Sequence, residues 1–163
     1  MKKRIEKRNR QTLLSVYEED LRSLESRIGK DRSASTWKAM LQGKTYVEKC
    51  LKEHFNMEDI AMKELTPQFI HDFSVYLSVE RGLRGGTVWL ACQQLKGVVT
   101  RAYQRGVLTW NPFAVLALNK GMPIESLSRL LGHTNITTTQ IYAKITMHKL
   151  EEDMNRLAEK LNI

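Results

Sequence analysis

His133 and Tyr142 stand nine positions apart in the stretch LLGHTNITTTQIYAKI, residues 130–145. An imidazole that can donate a hydrogen bond and a phenol that can attack phosphorus are two parts of a site for breaking a phosphodiester. A phenol with its ordinary pKa near 10 is a weak nucleophile at neutral pH. It needs fixed cations to meet the charge that develops on phosphate, and a proton source for the leaving oxygen. Two other readings fit the same residues: a helix-turn-helix that only grips DNA, and the end of a packed helix. The choice depends on what the rest of the chain supplies.

A second group of candidates is cationic. Gln94, Arg101 and Arg105 are spaced by seven and four and fall on one side of a helix. Lys96 and Thr100 project from the other flank, beside Tyr103, and Arg84 lies in the glycine-rich turn just before. Lys38, Lys44 and Lys49 belong to an earlier helical pattern. Long cationic side chains on a rigid helix reach phosphates or base edges, and arginine can hold a guanine edge at two points. A lysine on a phosphate adds affinity with little sequence choice. The plain alternative is a set of ordinary solvated helix faces.

Composition points the same way. Lys and Arg number 26 against 18 Asp and Glu, a formal charge of +8 and a pI near 9.6. Such an excess favours polyanions, with nucleic acid the first partner and an anionic membrane surface the second. No apolar run approaches the ~20 residues needed to cross a bilayer. MKKRIEKRNRQTLL begins like a signal peptide, but no sustained apolar core follows. Cys50 and Cys92 lack CxxC spacing and the histidines His54, His71, His133 and His148 are scattered, so neither metal nor cofactor is expected. A reduced cytoplasmic setting with both thiols buried fits this pattern.

The elements that must position these residues read as all-α. Residues 1–10 form a basic tail. A helix is expected from Gln11 to about Ile28, with Leu14, Tyr17, Leu21 and Leu24 on one face. GKDRSAS breaks it. A second helix runs from about Ser35 to His54, capped by Ser33 or Ser35, with Met40, Val47, Leu51 and Phe55 at helical spacing. Thr66 and Pro67 start a third, which buries Phe69, Phe73, Tyr76 and Leu77 and ends before RGLRGG. A fourth is capped by Thr87, closes at Gly106 and carries the stripe Ala91, Leu95, Val98, Val99 and Ala102. Four helices with short loops make a bundle. Pro112 marks an exit in TWNPF. Downstream, MPIESLSRLLG is a short helix with Pro123 at its first position, a second short helix holds Tyr142, and a last one starts near Thr146.

Three stretches resemble the tyrosine recombinases, the phage-integrase family, and most of all the integrases of Bacteroides-type mobile elements. They are SASTWKAMLQGKTYVEKCLKE, LTPQFIHDFSVYLSVERGLRGGTVWLACQQLKGVVTRAYQRGVLTWNPF and LSRLLGHTNITTTQIYAKIT. The first two resemble the family's helical core-binding, SAM-like domain, and the third the end of its catalytic domain. The resemblance implies residues 11–113 as a four-helix DNA-binding domain, with double-stranded DNA as its partner, and 114–163 as a short helical remnant of the catalytic domain. It places Tyr142 at the nucleophile that forms a transient phosphotyrosine bond, and His133 at the histidine that hydrogen-bonds the scissile phosphate. It implies site-specific recombination and integration of a mobile element as the family process.

The middle departs from that pattern. Only AVLALNKGMPIESLSRL separates the NPF exit from the Leu-Gly-His box, where full-length members hold a much longer stretch. The family's first catalytic arginine and its β-hairpin lysine have no counterpart, and its His-x-x-Arg box falls near Val107 and Trp110. This reads as an internal deletion that leaves Tyr142 and His133 without an assembled site, so DNA binding without strand cleavage is expected. Two alternatives stay open. IESLSRLLGHTNITTTQIYA places Gly132 where a helix-turn-helix regulator has its turn, with Leu127, Leu131 and Ile141 at core-like positions, although His133 and Thr138 replace apolar residues. Asn135 or Gln140 would then carry recognition. The seam Met147, Leu150, Met154, Leu157 and Leu161 would instead make the helix from Thr146 to Leu161 a self-association surface.

Overall fold

The computed structural model describes residues 11–131 together with 136, 137, 139, 140 and 144. The basic tail, His133, Tyr142 and the expected helix from Thr146 to Leu161 lie outside the described residues. The chain divides into two compact units, Met1–Thr109 and Trp110–Ile163. Helices make up every named element. Among the described residues none of these helices is long and apolar enough to cross a membrane.

The first unit is a bundle of α1 (Leu13–Glu25), α2 (Ala34–Glu53), α3 (Pro67–Val75) and α4 (Gly85–Gln104). A π turn, Tyr76–Glu80, continues α3, and a 3₁₀ turn, Met62–Glu64, precedes it. Helix α1 packs on α2 and α4, α2 on α4, and α3 on α4.

Local chemistry explains the starts. Thr12 and Ser15 cap α1 reciprocally: the Ser15 N–H donates to Thr12 Oγ1 and the Thr12 N–H to Ser15 Oγ at 3.0 Å. Two amide donors with no intrahelical partner are thereby satisfied. Ser33, not Ser35, caps α2 through the Thr36 N–H. Thr66 Oγ1 accepts from the Phe69 N–H at 3.1 Å, and Pro67 takes the first helical position as its sequence indicates. Helix α4 differs from expectation. It begins at Gly85, ahead of Thr87, because the Arg84 carbonyl already accepts from the Thr87 and Val88 N–H groups.

The core confirms most of the periodic reading and corrects it on α1. Phe69, Phe73, Tyr76 and Leu77 are buried, as are Ala91, Leu95, Val98, Val99 and Ala102. On α1 the inward face is Leu13, Val16, Tyr17, Asp20 and Leu21, whereas Leu14 and Leu24 are half-buried. The start of the helix sets this rotation. The Leu13 N–H donates to the Ile60 carbonyl at 2.9 Å and the Leu14 N–H to Asp59 Oδ1 at 3.2 Å. Cys50 is fully buried but Cys92 only half so, against the expectation of two buried thiols. Phe55 lies past the end of α2, half-buried, stacked on Phe69 with ring centroids 5.1 Å apart. Gly43 governs the approach of α2 to α4, since a Cβ there would stand 2.9 Å from Gln94 Cβ.

In the second unit Asn111 does more than end a segment. Its Oδ1 accepts from the Phe113 N–H at 3.0 Å and starts α5 (Pro112–Asn119), a helix absent from the sequence reading. Gly121, at φ 84°, turns the chain into α6 (Ile124–Leu131), which begins one residue after Pro123 and packs on α5; Ala114, Val115 and Leu127 are buried in this unit.

Two outcomes test this packing. Gly43→Ala gains about 1 kcal/mol of helix propensity but forces α2 from α4 at about 1–3 kcal/mol. The net expectation is a lower urea midpoint, and a higher one would contradict the close approach. Burial pushes the Cys50 thiol up to about 12 from 9.0. Burial also raises the Tyr17 and Tyr76 phenols, the latter with help from a hydrogen bond to Glu53. The folded state holds these protons more tightly than the unfolded chain. Stability is therefore fully present below about pH 9 and lost as pH rises beyond it. Urea midpoints at about pH 8, 10 and 11 should fall in that order.

Candidate nucleic-acid interface

The cations singled out on α2 and α4 divide into two sets, and an acidic run on α1 divides them. Asp20, with its side chain 6% exposed, accepts from Arg101 Nε at 2.8 Å and lies 3.2 Å from Arg105 Nη1. Arg105 Nη1 is also 3.9 Å from Glu19. Lys44 Nζ sits between Glu48 at 2.8 Å and Glu18 at 3.2 Å. Burial acts to lower the Lys44 pKa, but the hydrogen bonds to Glu48 and Glu18 outweigh it and the value is raised. Glu18, Glu19 and Asp20 thus engage three of the eight proposed DNA contacts.

Lys38 and Arg84 are exposed, and Lys96 and Thr100 half-buried. Lys38, Arg84 and Lys96 have no carboxylate within ion-pair distance among the described residues. Trp89, 63% exposed, joins Gln93, Lys96 and Thr100 on one side of α4, since steps of four, three and four return to the same face. Its sequence signal is an aromatic opposite the apolar stripe, and the sequence reading passed over it.

Arg101 is shaped by two neighbours. Asp20 holds its Nε. A Cβ at Gly97 would lie 3.1 Å from Arg101 Nη1, so the missing side chain gives the guanidinium room to lie against the helix. Gln94 lies against Gly43 and lines a cleft with Arg101. The buried Asp20 was also missed. Its signal was an acid three positions after Tyr17, inside an otherwise apolar stripe.

A second polar cluster ties the end of α2 to the π turn. Tyr76 Oη donates to Glu53 Oε2 at 2.5 Å, Arg81 Nη1 stands 3.5 Å from the same oxygen, and His54 Nδ1 lies 2.7 Å from Glu80 Oε1. Its carboxylates are taken up by these contacts. Among the described residues no group of His, Cys, Asp and Glu could hold a metal ion.

Comparison with known proteins places this geometry. The phage integrase SAM-like domain matches residues 12–121. The tyrosine recombinase XerA of Pyrococcus horikoshii is 34% identical over 91 residues, covering 52% of this chain and 32% of that protein. XerA of Thermococcus kodakarensis is 43% identical over 51 residues, 30% of this chain and 18% of the relative. XerC of Pediococcus pentosaceus is 41% identical over 44 residues, 27% and 15% respectively. The chain thus matches less than a third of the length of these relatives. No solved structure matches.

Removing Asp20 should expose its structural role. Asp20→Ala leaves two arginines facing each other without their carboxylate. Each hydrogen bond to a charged group contributes about 1.5–3 kcal/mol, and the half-exposed guanidiniums put the sum at the lower end. Denaturant titration should show a loss of about 2 kcal/mol, and an unchanged midpoint would show the pairs to be idle.

Proposed function

The chain belongs to the tyrosine recombinase family through its phage integrase SAM-like domain, and on that premise we propose that it binds duplex DNA without cutting it. The process it serves in this reading is the site-specific recombination and integration of a mobile element. The observation that carries the reading is the set of uncommitted cations Lys38, Arg84 and Lys96 beside Thr100 and the exposed Trp89 on the rigid α4 and α2. Phosphate contacts from such groups supply affinity and register. Lys44 and Arg105 hold α1 in place in this reading.

Absence of cleavage follows from the sequence around Tyr142 and His133. The resemblance assigns these two the nucleophile and a phosphate ligand, while the arginine and lysine that would complete the site have no counterpart. Each missing transition-state donor typically costs on the order of 10²–10³ in rate. A lone phenol and imidazole supply too little stabilisation for strand transfer.

Two measurements test this. With about three phosphates neutralised, duplex affinity should fall about fortyfold between ~50 and ~200 mM salt. Lys96→Gln should weaken every duplex alike and reduce the salt slope by about one. Binding insensitive to salt would refute the phosphate interface. Incubation with a nicked recombination-site duplex should leave no covalent protein–DNA adduct, and an adduct abolished by Tyr142→Phe would refute the inactivity.

A further inference from the structure

The end of α1, the start of α2 and the middle of α4 enclose a cleft of about 190 Å³. The surface assigned above to duplex binding does not include it. Its lining residues include Arg27, Arg32, Arg101, Gln94, Asp20 and Thr36, whose hydroxyl lies 2.9 Å from Ser33 Oγ.

The charges do not cancel. Both Asp20 oxygens are engaged, Oδ2 by Arg101 and Oδ1 by Arg105. Arg27 is held by Asp31 in the α1–α2 turn, its Nε 3.0 Å from Oδ1 and its Nη2 on Oδ2. Arg32 has no carboxylate within ion-pair distance among the described residues. Arg101 uses only Nε on Asp20, which leaves both terminal nitrogens for another acceptor. Arg27, Arg32 and Arg101 thus line the cleft, and because Asp20 is shared with Arg105 the carboxylates of Asp20 and Asp31 do not balance the positive charge there. Arginine and glutamine side chains around a small volume suit a tetrahedral oxyanion. Asp20, nine-tenths buried, keeps Arg101 oriented before any anion arrives.

We propose that this cleft is a phosphate-binding subsite, with Arg32 and Arg101 as its principal ligands, and that its occupant is one backbone phosphate of the bound duplex. The assignment of the occupant rests on the duplex-binding reading. Arg32 and Arg101 grip the phosphate from two elements far apart in sequence, so the contact fixes the position of the bundle along the strand.

Arg32→Gln is the informative variant, because Arg32 is exposed and its side chain makes no hydrogen bond or ion pair among the described residues. Anisotropy with a labelled duplex at several salt concentrations reads the duplex arm. The expected result is about three- to tenfold weaker binding and a salt slope lower by about one. Thermal unfolding in inorganic phosphate, against chloride at equal ionic strength, reads the anion arm. Phosphate should raise the midpoint of the parent chain and lose that effect in Arg32→Gln. Unchanged duplex binding with the phosphate effect lost would show a site for the free anion and overturn the duplex assignment. If neither arm responds to Arg32→Gln, the subsite is refuted. Lys96→Gln separates the two readings. If it weakens duplex binding while Arg32→Gln does not, the cleft assignment fails alone, and if the parent binds no duplex, the duplex reading fails with it.

Discussion

A carboxylate with its side chain 6% exposed, held between two arginines, is the contact on which the arrangement of α1, α2 and α4 depends. A charge so far from water must be paired and hydrogen-bonded or it destabilises the fold. Asp20 meets that requirement through Arg101 in the last turn of α4 and Arg105, which caps that helix. The pairing locks α1 against α4 along a defined line. It also dictates where glycine is needed: Gly97 leaves space for the Arg101 guanidinium, and Gly43 lets α2 approach Gln94. The walls of the arginine cleft follow from these contacts.

The same contact allocates charge. A formal excess of +8 suggests a broadly cationic surface, yet Glu18, Glu19 and Asp20 engage Lys44, Arg101 and Arg105. Ion pairs between partly exposed groups add little stability individually. Their larger effect here is to remove some cations from competition for a polyanion and to orient others. Among the proposed DNA contacts, those that remain uncommitted are Lys38, Arg84 and Lys96, and Arg32 at the cleft is uncommitted as well. Affinity for a duplex then depends on a few placed donors more than on net charge.

Membership of the recombinase family joins this bundle to a chemistry that needs more than one group. Phosphodiester transfer by a phenol requires cations converging on the same phosphate, because charge develops there during the reaction. Of the cations proposed to contact DNA, Lys44, Arg101 and Arg105 pair with carboxylates of α1, and Lys38, Arg84 and Lys96 do not. The proposal of a scaffold that holds DNA without breaking it rests on this requirement, since the arginine and lysine that would meet it have no counterpart in the sequence.

The helical class, the Thr66–Pro67 start and the α4 stripe were legible in the sequence by itself, because periodicity and capping act over three or four residues. The first residue of α4 was misread locally, where the Arg84 carbonyl does the work expected of Thr87. The start of α5 is legible as well, since Asn111–Pro112 is a start signal, although the same Pro112 also reads as an exit from α4. The face of α1 was not legible. Its rotation is set by Ile60 and Asp59, which lie far along the chain. Nor was the allocation of the arginines, because Asp20 and Arg101 are 81 positions apart. Helical spacing decides which side of its own helix a charge occupies. Only the packing of three helices decides whether that side meets a carboxylate or water, and so whether the charge is free to bind.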